Sequence, residues 1–402
     1  MRGTQSGKLE ELVARLAPLI GAVGDVPETY VVGGAVRDAL LGGVGGDVDL
    51  AVDGALDDLV HALGGEVRAH DRFETATVVV DRVVYDLART RTERYARPGA
   101  LPDVAPAPIE DDLGRRDFTV NAMAVVLNGP RAGSLIAFDS AVEDLAAARL
   151  RILHPESFIC DPTRLFRLVR YAARLGFAVE EQTEALAVAA VARGVLSTVS
   201  GARIGNEIRL LAGEGDPVAA VSGLARFGLN AALEPGFALS DTSLASRALT
   251  LLPDDGRRDL LVLAAACFGL GEDRVRTLLD GWAFPASDRD VIVAAALRAE
   301  KLSLRLEMAG APSEIDAAVA RAGAGLETVA LAGAIGPTAV AREWLAELRH
   351  KQLAITGDDL LAAGVVPGPA LGVALAAARA AMLDGEAPDA ASQLAVALSA
   401  AS

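Results

Sequence analysis

Cysteine, histidine and lysine are scarce in this chain, and each scarcity removes a class of chemistry. Its 402 residues hold two cysteines, Cys160 and Cys267, far apart and in no CxxC pair, which argues against a disulfide framework and against a zinc site. Four histidines are equally sparse. The His70-Asp71 dipeptide has no second His-Asp pair to accompany it, so it reads as a surface or strand-edge pair rather than a hydrolase centre. With three lysines, Lys8, Lys301 and Lys351, the basic charge is almost wholly arginine. Although 52% of the residues are hydrophobic, no uncharged apolar run approaches the roughly 18 residues of a membrane span, and a soluble protein is expected. The opening MRGTQSGKLEELVARL has neither the apolar core nor the cleavage pattern of a signal peptide, so a cytoplasmic location is expected. The net charge of −16 is opposite in sign to the usual footprint of a nucleic-acid binder. Contact with RNA therefore has to come from arginines clustered on one surface.

What is present centres on Tyr30 to Val52, YVVGGAVRDALLGGVGGDVDLAV. An apolar run enters a Gly33-Gly34 turn, a short helical pattern follows from Ala35 to Leu41, and a second apolar run carries Asp47 and Asp49. Two glycines let backbone approach a ligand and present N–H groups at a helix N-terminus, where an anion such as a triphosphate is favoured. Asp47 and Asp49 are two apart on a strand, so they share a face. Two carboxylates on one face repel unless a cation sits there, and hard oxygen ligands suit Mg²⁺ together with substrate phosphates. The spacing is not GxGxxG, and the acidic pair follows too soon for the dinucleotide fingerprint, whose acidic residue comes roughly 20 positions on.

A chain of 402 residues calls for two or more domains. Leu9, Leu12, Val13, Leu16 and Ile20 predict a leading amphipathic helix over residues 8–20. Leu56 to Leu63 reads as a helix, and Glu66 to His70, Thr75 to Val80 and Val83 to Ala88 read as short strands. Arg89 to Ile109, rich in Pro, Gly and Arg, reads as a loop. In EDDLGRRDFTVNAMAV, residues 110–125, two arginines stand beside Asp117 and Asn121 just before an apolar run. From Asp161 to Phe177, Arg164, Arg167, Arg170 and Arg174 fall on one helical face at about 100° per residue. Leu165, Leu168, Val169, Ala172 and Leu175 fall on the other. Asp161 is placed at the N-cap and Pro162 at the first helical position. Beyond residue 215 the pattern is Ala- and Leu-rich helix broken by Gly and Pro.

GGAVRD with DVDL, RRDFTVNAMA, and DPTRLFRLVRYAARLGF together resemble the signature of the class II nucleotidyltransferases of the polymerase-beta superfamily, the group of CCA-adding enzymes and bacterial poly(A) polymerases. The resemblance covers roughly residues 30–212. It implies an α+β protein: an N-terminal head with a small mixed or antiparallel sheet (1–150), a helical neck with a base-reading helix (151–215), and a helical, RNA-binding body and tail (216–402). By the same resemblance Asp47 and Asp49 are the catalytic Mg²⁺ ligands, and Gly33, Gly34 and Arg37 hold the triphosphate. Arg116, with Asp117 and Asn121, holds the nucleotide and its ribose. Asp161 and Arg164 read the base edge, with Arg167 and Arg170 on the same face. Arg203 and Glu207, in SGARIGNEIRLLA, are read as structural support. Asp86 has two readings, a third metal carboxylate or an exposed strand residue. The implied substrates are tRNA, CTP and ATP, with no membrane and no protein partner.

Two departures stand out. Cys160 precedes Asp161 where the family has Glu, and Ala141 and Val142 stand where a connecting motif commonly has Gly. Full CCA addition is the leading expectation; CC-only or A-only addition, poly(A) synthesis and a catalytically inactive RNA-binding protein are the alternatives.

Overall fold

Short β-branched runs separated by glycines and charged turns build a seven-stranded sheet in the first half of the chain, and the second half is helical. The computed structural model describes residues 7–8, 11–14, 16, 21, 23–24, 26–43, 48–70, 74–80 and 82–401. Most of the expected helix over 8–20, and Asp47 and Asp71, lie outside the described residues. The chain divides into two compact units, residues 1–200 and 201–402.

In the first unit β1 (Thr29–Val32), β2 (Val48–Val52), β3 (Glu66–His70), β4 (Thr75–Val80), β5 (Val83–Arg89), β8 (Met123–Val126) and β9 (Leu135–Ala137) run in the order β3-β4-β5-β2-β1-β8-β9. Among the described residues of this sheet β2 and β5 alone pair in parallel; the other neighbours are antiparallel. Helix α1 (Gly34–Leu41) joins β1 to β2 and buries Ala35, Val36, Ala39 and Leu40. It stops at Gly42, whose left-handed backbone (φ 85°) turns the chain away. Along β2 the side chains alternate: Val48 and Leu50 are buried and Asp49 is exposed, so the pleat itself delivers the carboxylate to the open face. Beneath, Tyr30, Val32, Ala51, Ala124 and Val126 pack against Ile109 and Leu113 of α3 (Ile109–Gly114), after α2 (Leu56–Leu63).

The segment read as a loop holds a hairpin instead, β6 (Arg91–Arg94) paired with β7 (Asp103–Pro106). Its charged face is stabilised by partners distant in sequence, chiefly Arg115 on Glu93. Helices α4 (Ala141–Ala146), α5 (Ser157–Cys160), α6 (Thr163–Leu175) and α7 (Glu181–Ala192) complete the unit. Ala141 and Val142, which stand where the connecting motif commonly has Gly, open α4, and the residue before them, Ser140, takes the left-handed conformation (φ 64°). The expected helical region after residue 150 contains one small exception, a two-residue parallel pair of β10 (Arg149–Leu150) with β11 (Ala178–Val179).

The described elements of the second unit are all helical, from α8 (Gly201–Ala212) to the C-terminal helix Ala390–Ala401. Leu260 to Ala266 and Val329 to Ala332 form its buried interior. A Cβ on Gly205 would lie 2.0 Å from the Trp282 carbonyl oxygen, so only glycine allows α8 so close. Arg379 and Trp344 both donate to Asp316, tying three helices together. Ile355, Leu360, Ala374, Ala378 and Ala397 make a separate small core at the C-terminal end. Among the described residues no single helix is long and apolar enough to cross a membrane.

Candidate active site

At Gly33 the chain leaves β1 with φ 69°, a conformation favouring glycine, and enters α1. A Cβ there would meet Arg116 Nη1 at 2.9 Å and lie 3.9 Å from Asp49 Oδ2. The turn, the guanidinium and the carboxylate therefore converge on one point. Around it lies a cavity of about 270 Å³ lined by Gly33, Gly34, Asp49, Glu93, Tyr95, Arg115, Arg116, Asp117, Asn121, Asp161, Arg164, Arg167 and Tyr171. Nine of the residues expected from the sequence are in that lining, drawn from the turn after β1, α1, β2, the segment after α3, and α6 with the residue before its cap.

Five expected residues stand elsewhere, Arg37, Arg170, Asp86, Arg203 and Glu207. Arg37 is buried and does not line the cavity; its Nε donates to Asp38 (2.7 Å) and its Nη1 to Asn121 Oδ1 (2.6 Å). Its geometry suits support of the site rather than direct grip on a triphosphate. Arg170 is also buried and off the lining, 5.1 Å from the Tyr171 ring centroid, within cation–π range. Asp86 is exposed opposite Asp49 across the parallel β2–β5 pair. Asp49 and Asp86 both line a second cavity of about 350 Å³, and Thr77 Oγ1 holds Asp86 Oδ1 at 2.7 Å. Arg203 and Glu207 lie on α8 in the second unit, with Glu207 buried.

The arginine face of α6 is not the open stripe its periodicity suggests. Arg164 is buried: its Nη1 donates to Ser157 Oγ (2.7 Å) and its Nη2 to the Arg115 carbonyl (2.6 Å). Pro162, not Asp161, takes the cap position and Thr163 opens the helix, so Asp161 sits one residue before the cap; its Oδ1 accepts from Thr163 Oγ1 (2.7 Å) and Thr163 N (3.2 Å). The two side chains are thus pinned at the cavity edge by short contacts. A guanidinium donor beside a carboxylate acceptor matches the hydrogen-bonding edge of a nucleobase.

Asp117 is buried and fully hydrogen-bonded. Oδ1 accepts from Phe118 N (2.8 Å) and Asn121 Nδ2 (3.0 Å), and Oδ2 from Arg167 Nε (2.7 Å). Burial alone would raise its pKa; the positive charge of Arg167, the Asn121 hydrogen bond and Arg164 outweigh that and hold it at about 2. Cys160 is half-buried, and burial pushes its thiol up, away from the reactive thiolate.

Sequence reasoning missed Glu93, Tyr95, Arg115 and Tyr171. Tyr95 donates to Glu93 Oε2 (2.8 Å) while Arg115 Nη1 donates to Glu93 Oε1 (2.7 Å). The available signal was Arg91, Glu93 and Tyr95 at strand spacing in RTERY, which puts three polar side chains on one face.

Oxygen donors at Asp49 and Asp86 have the chemistry of a hard-cation site completed by substrate phosphates. Among the described residues no group of three or more His, Cys, Asp or Glu is assembled to hold a metal by itself.

Residues 29–151 match the family described as the poly A polymerase head domain. The CC-adding tRNA nucleotidyltransferase of Deinococcus radiodurans is 31% identical over 374 residues, covering 90% of this chain and 87% of that protein. The A-adding enzyme of Halalkalibacterium halodurans is 44% identical over 202 residues, 48% of this chain and 47% of that protein. This chain spans 26%, 47% and 22% of the length of three A-adding relatives that it matches. In structure it resembles the Thermotoga maritima CCA-adding enzyme complexed with tRNA, with TM-score 0.77, 26% identity and 98% of each chain covered. CCA-adding enzyme complexes with CTP and with ATP give TM-scores of 0.81 and 0.82 at 27% and 26% identity, each covering 98% of both chains.

Proposed function

Because this chain belongs to the tRNA nucleotidyltransferase family of the polymerase-beta superfamily, we propose that it adds CMP, CMP and AMP to the 3′ end of tRNA. CTP and ATP are the donors and pyrophosphate is released. The observation that carries this reading is the convergence of Gly33-Gly34, Asp49, Arg116, Asp117 and the Asp161–Arg164 pair on one cavity. That set supplies a phosphate turn, a metal carboxylate, a sugar-side ion cluster and a base-reading edge.

In this mechanism the backbone of Gly33-Gly34 at the start of α1 and the Arg116 guanidinium hold the triphosphate in line with the acceptor hydroxyl. Asp117 and Arg167 bound the ribose side. Asp161 and Arg164 offer an acceptor and a donor to the base, so protein takes the place of a nucleic-acid template. Asp49, with Asp47 beside it in sequence, holds the divalent ions on which nucleotidyltransferases of this family depend; Mg²⁺ is the expected ion. When bound, such ions supply activation of the 3′-hydroxyl and stabilisation of the pyrophosphate leaving group. Asp86, held by Thr77 beside Asp49, is the third carboxylate of this reading. The tRNA is bound by the helical second unit, and the reaction is placed in the cytoplasm.

A second reading, addition of A alone, is favoured by the 40–44% identity of about half of this chain to A-adding enzymes. The two separate on tRNAs ending before the CCA, after one C and after CC, each given Mg²⁺ with CTP, ATP or both. Two C additions followed by one A support the first reading. Extension only of the tRNA ending in CC, and only by A, moves the assignment to A addition, and long A tails move it to poly(A) synthesis.

A further inference from the structure

The run EDD before the paired arginines has the look of a solvated acidic stretch, and two of its members are that: Glu110 and Asp111 are exposed. Asp112 is not; it is 1% exposed. Its Oδ2 accepts from Arg116 Nε (3.2 Å) and Nη2 (2.9 Å). Its Oδ1 accepts from Arg115 Nε (3.0 Å) and Nη2 (2.7 Å), and from the Arg91 backbone N–H (3.2 Å). One carboxylate therefore takes two guanidiniums side by side, each by its Nε–Nη2 edge, the geometry that fixes a guanidinium plane.

That arrangement decides what Arg116 has left. With Nε and Nη2 engaged by Asp112, Nη1 is the nitrogen beside Gly33, where an added Cβ would also lie 3.9 Å from Asp49 Oδ2. Arg115 uses its own Nη1 on Glu93 and so ties the cluster to the β6–β7 hairpin. Asp49, Arg115 and Arg116 line both the cavity of about 270 Å³ and the neighbouring one of about 350 Å³, and Asp112 itself lines the second. The Asp112 cluster is thus the partition between the two.

We propose that Asp112 is a positioning residue for nucleotidyl transfer, fixing Arg116 at the triphosphate and, with Arg115, the wall between the nucleotide cavity and its neighbour. This rests on the reading of the first cavity as the nucleotide site. Burial by itself would favour the neutral acid, but the Arg116 and Arg115 charges outweigh it and lower the Asp112 pKa, so the carboxylate stays ionised at neutral pH. Asp112 does not line the nucleotide cavity and acts only through the arginines it holds.

The test is a double-substitution cycle on the full chain: wild type, Asp112→Asn, Arg116→Ala and the pair. KM and kcat for CTP are measured on tRNA lacking CCA, with a thermal melt of each protein. Asparagine keeps the shape but removes the charge and sets an amide donor against a guanidinium. A reacting group displaced by about 1 Å costs up to ~100-fold in rate, so Asp112→Asn is expected to raise KM about tenfold and lower kcat by tenfold to 100-fold. In the Arg116→Ala background the same change is expected to add several-fold less, because of the two arginines that Asp112 holds only Arg115 then remains. Equal factors in both backgrounds assign Asp112 a general structural role and overturn the proposal, as does wild-type KM and kcat in a folded Asp112→Asn or Arg116→Ala protein. Should Asp112→Asn not fold, Asp112→Glu keeps the charge and pushes the guanidinium toward the cavity. A several-fold rise in KM is then expected, and unchanged KM and kcat overturn the proposal. Failure of the wild type to incorporate any nucleotide is seen before any variant is made, and it sinks the functional reading itself.

Discussion

Arg167 Nε donates to Asp117 Oδ2 at 2.7 Å, joining helix α6 to the turn that carries the two adjacent arginines. Helix α6 and that turn are therefore one hydrogen-bonded unit at the cavity wall. Asn121 extends it from Asp117 to Arg37, and the Arg37, Arg167 and Arg170 guanidiniums lie 5.6, 5.8 and 5.1 Å from the Tyr171 ring centroid.

The pairing makes stability depend on pH through Asp117. Its pKa is about 2 in the folded protein against an ordinary 3.8, worth roughly 2 kcal/mol. A lowered carboxylate pKa gives stability that is complete above the unfolded value and is lost as pH falls through the folded one. In urea unfolding, Asp117→Asn is expected to be less stable than wild type at neutral pH, with the gap narrowing as pH falls from about 4 toward 2. A gap that is constant over that range contradicts the assignment.

At Gly33 the backbone and the site make separate demands. Gly33→Ala places a Cβ 2.9 Å from Arg116 Nη1 on a residue at φ 69°. Backbone strain of about 1–2 kcal/mol should lower the melting temperature by several degrees. The displaced guanidinium should raise KM for CTP about tenfold, as expected of a misplaced binding group. Steady-state kinetics beside a melt separate the two effects; a lowered melting temperature with wild-type KM would show that Arg116 does not hold the nucleotide.

Arg37 is expected to act through Asn121. Losing a hydrogen bond made by a charged group typically costs roughly 1.5–3 kcal/mol, so Arg37→Ala, which loses the buried Asn121 contact and the pair with the partly exposed Asp38, should lose stability by that order in a denaturant titration. It should also weaken CTP binding less than Arg116→Ala does, since Arg37 does not line the cavity. Weaker binding in Arg37→Ala than in Arg116→Ala would return Arg37 to the triphosphate.

The strand–turn–helix–strand unit was legible because its signals are local: a continuous buried run in β1, a glycine pair at the turn, and Asp49 on the exposed side of the pleat between buried Val48 and Leu50 in β2. The β6–β7 hairpin was not, because its strands are four residues each and its charged face is stabilised by Arg115, 22 positions away from Glu93. For the same reason Asp112 looked no different from Glu110 and Asp111, since composition does not reveal which of three neighbouring carboxylates turns inward. Helical periodicity placed Arg164 and Arg170 on one face. It did not reveal that Ser157 and the Arg115 carbonyl take up the charge of Arg164 and bury it.

The most direct measurement is incorporation of labelled CMP into tRNA lacking its CCA end, with Mg²⁺, by wild type and Asp49→Ala. The account predicts robust incorporation by wild type and a loss of three orders of magnitude or so in the variant, about the effect of removing one preorganised charge-stabilising group, with an unchanged melt because Asp49 is exposed. Incorporation by Asp49→Ala at the wild-type rate would place the chemistry somewhere other than this cavity.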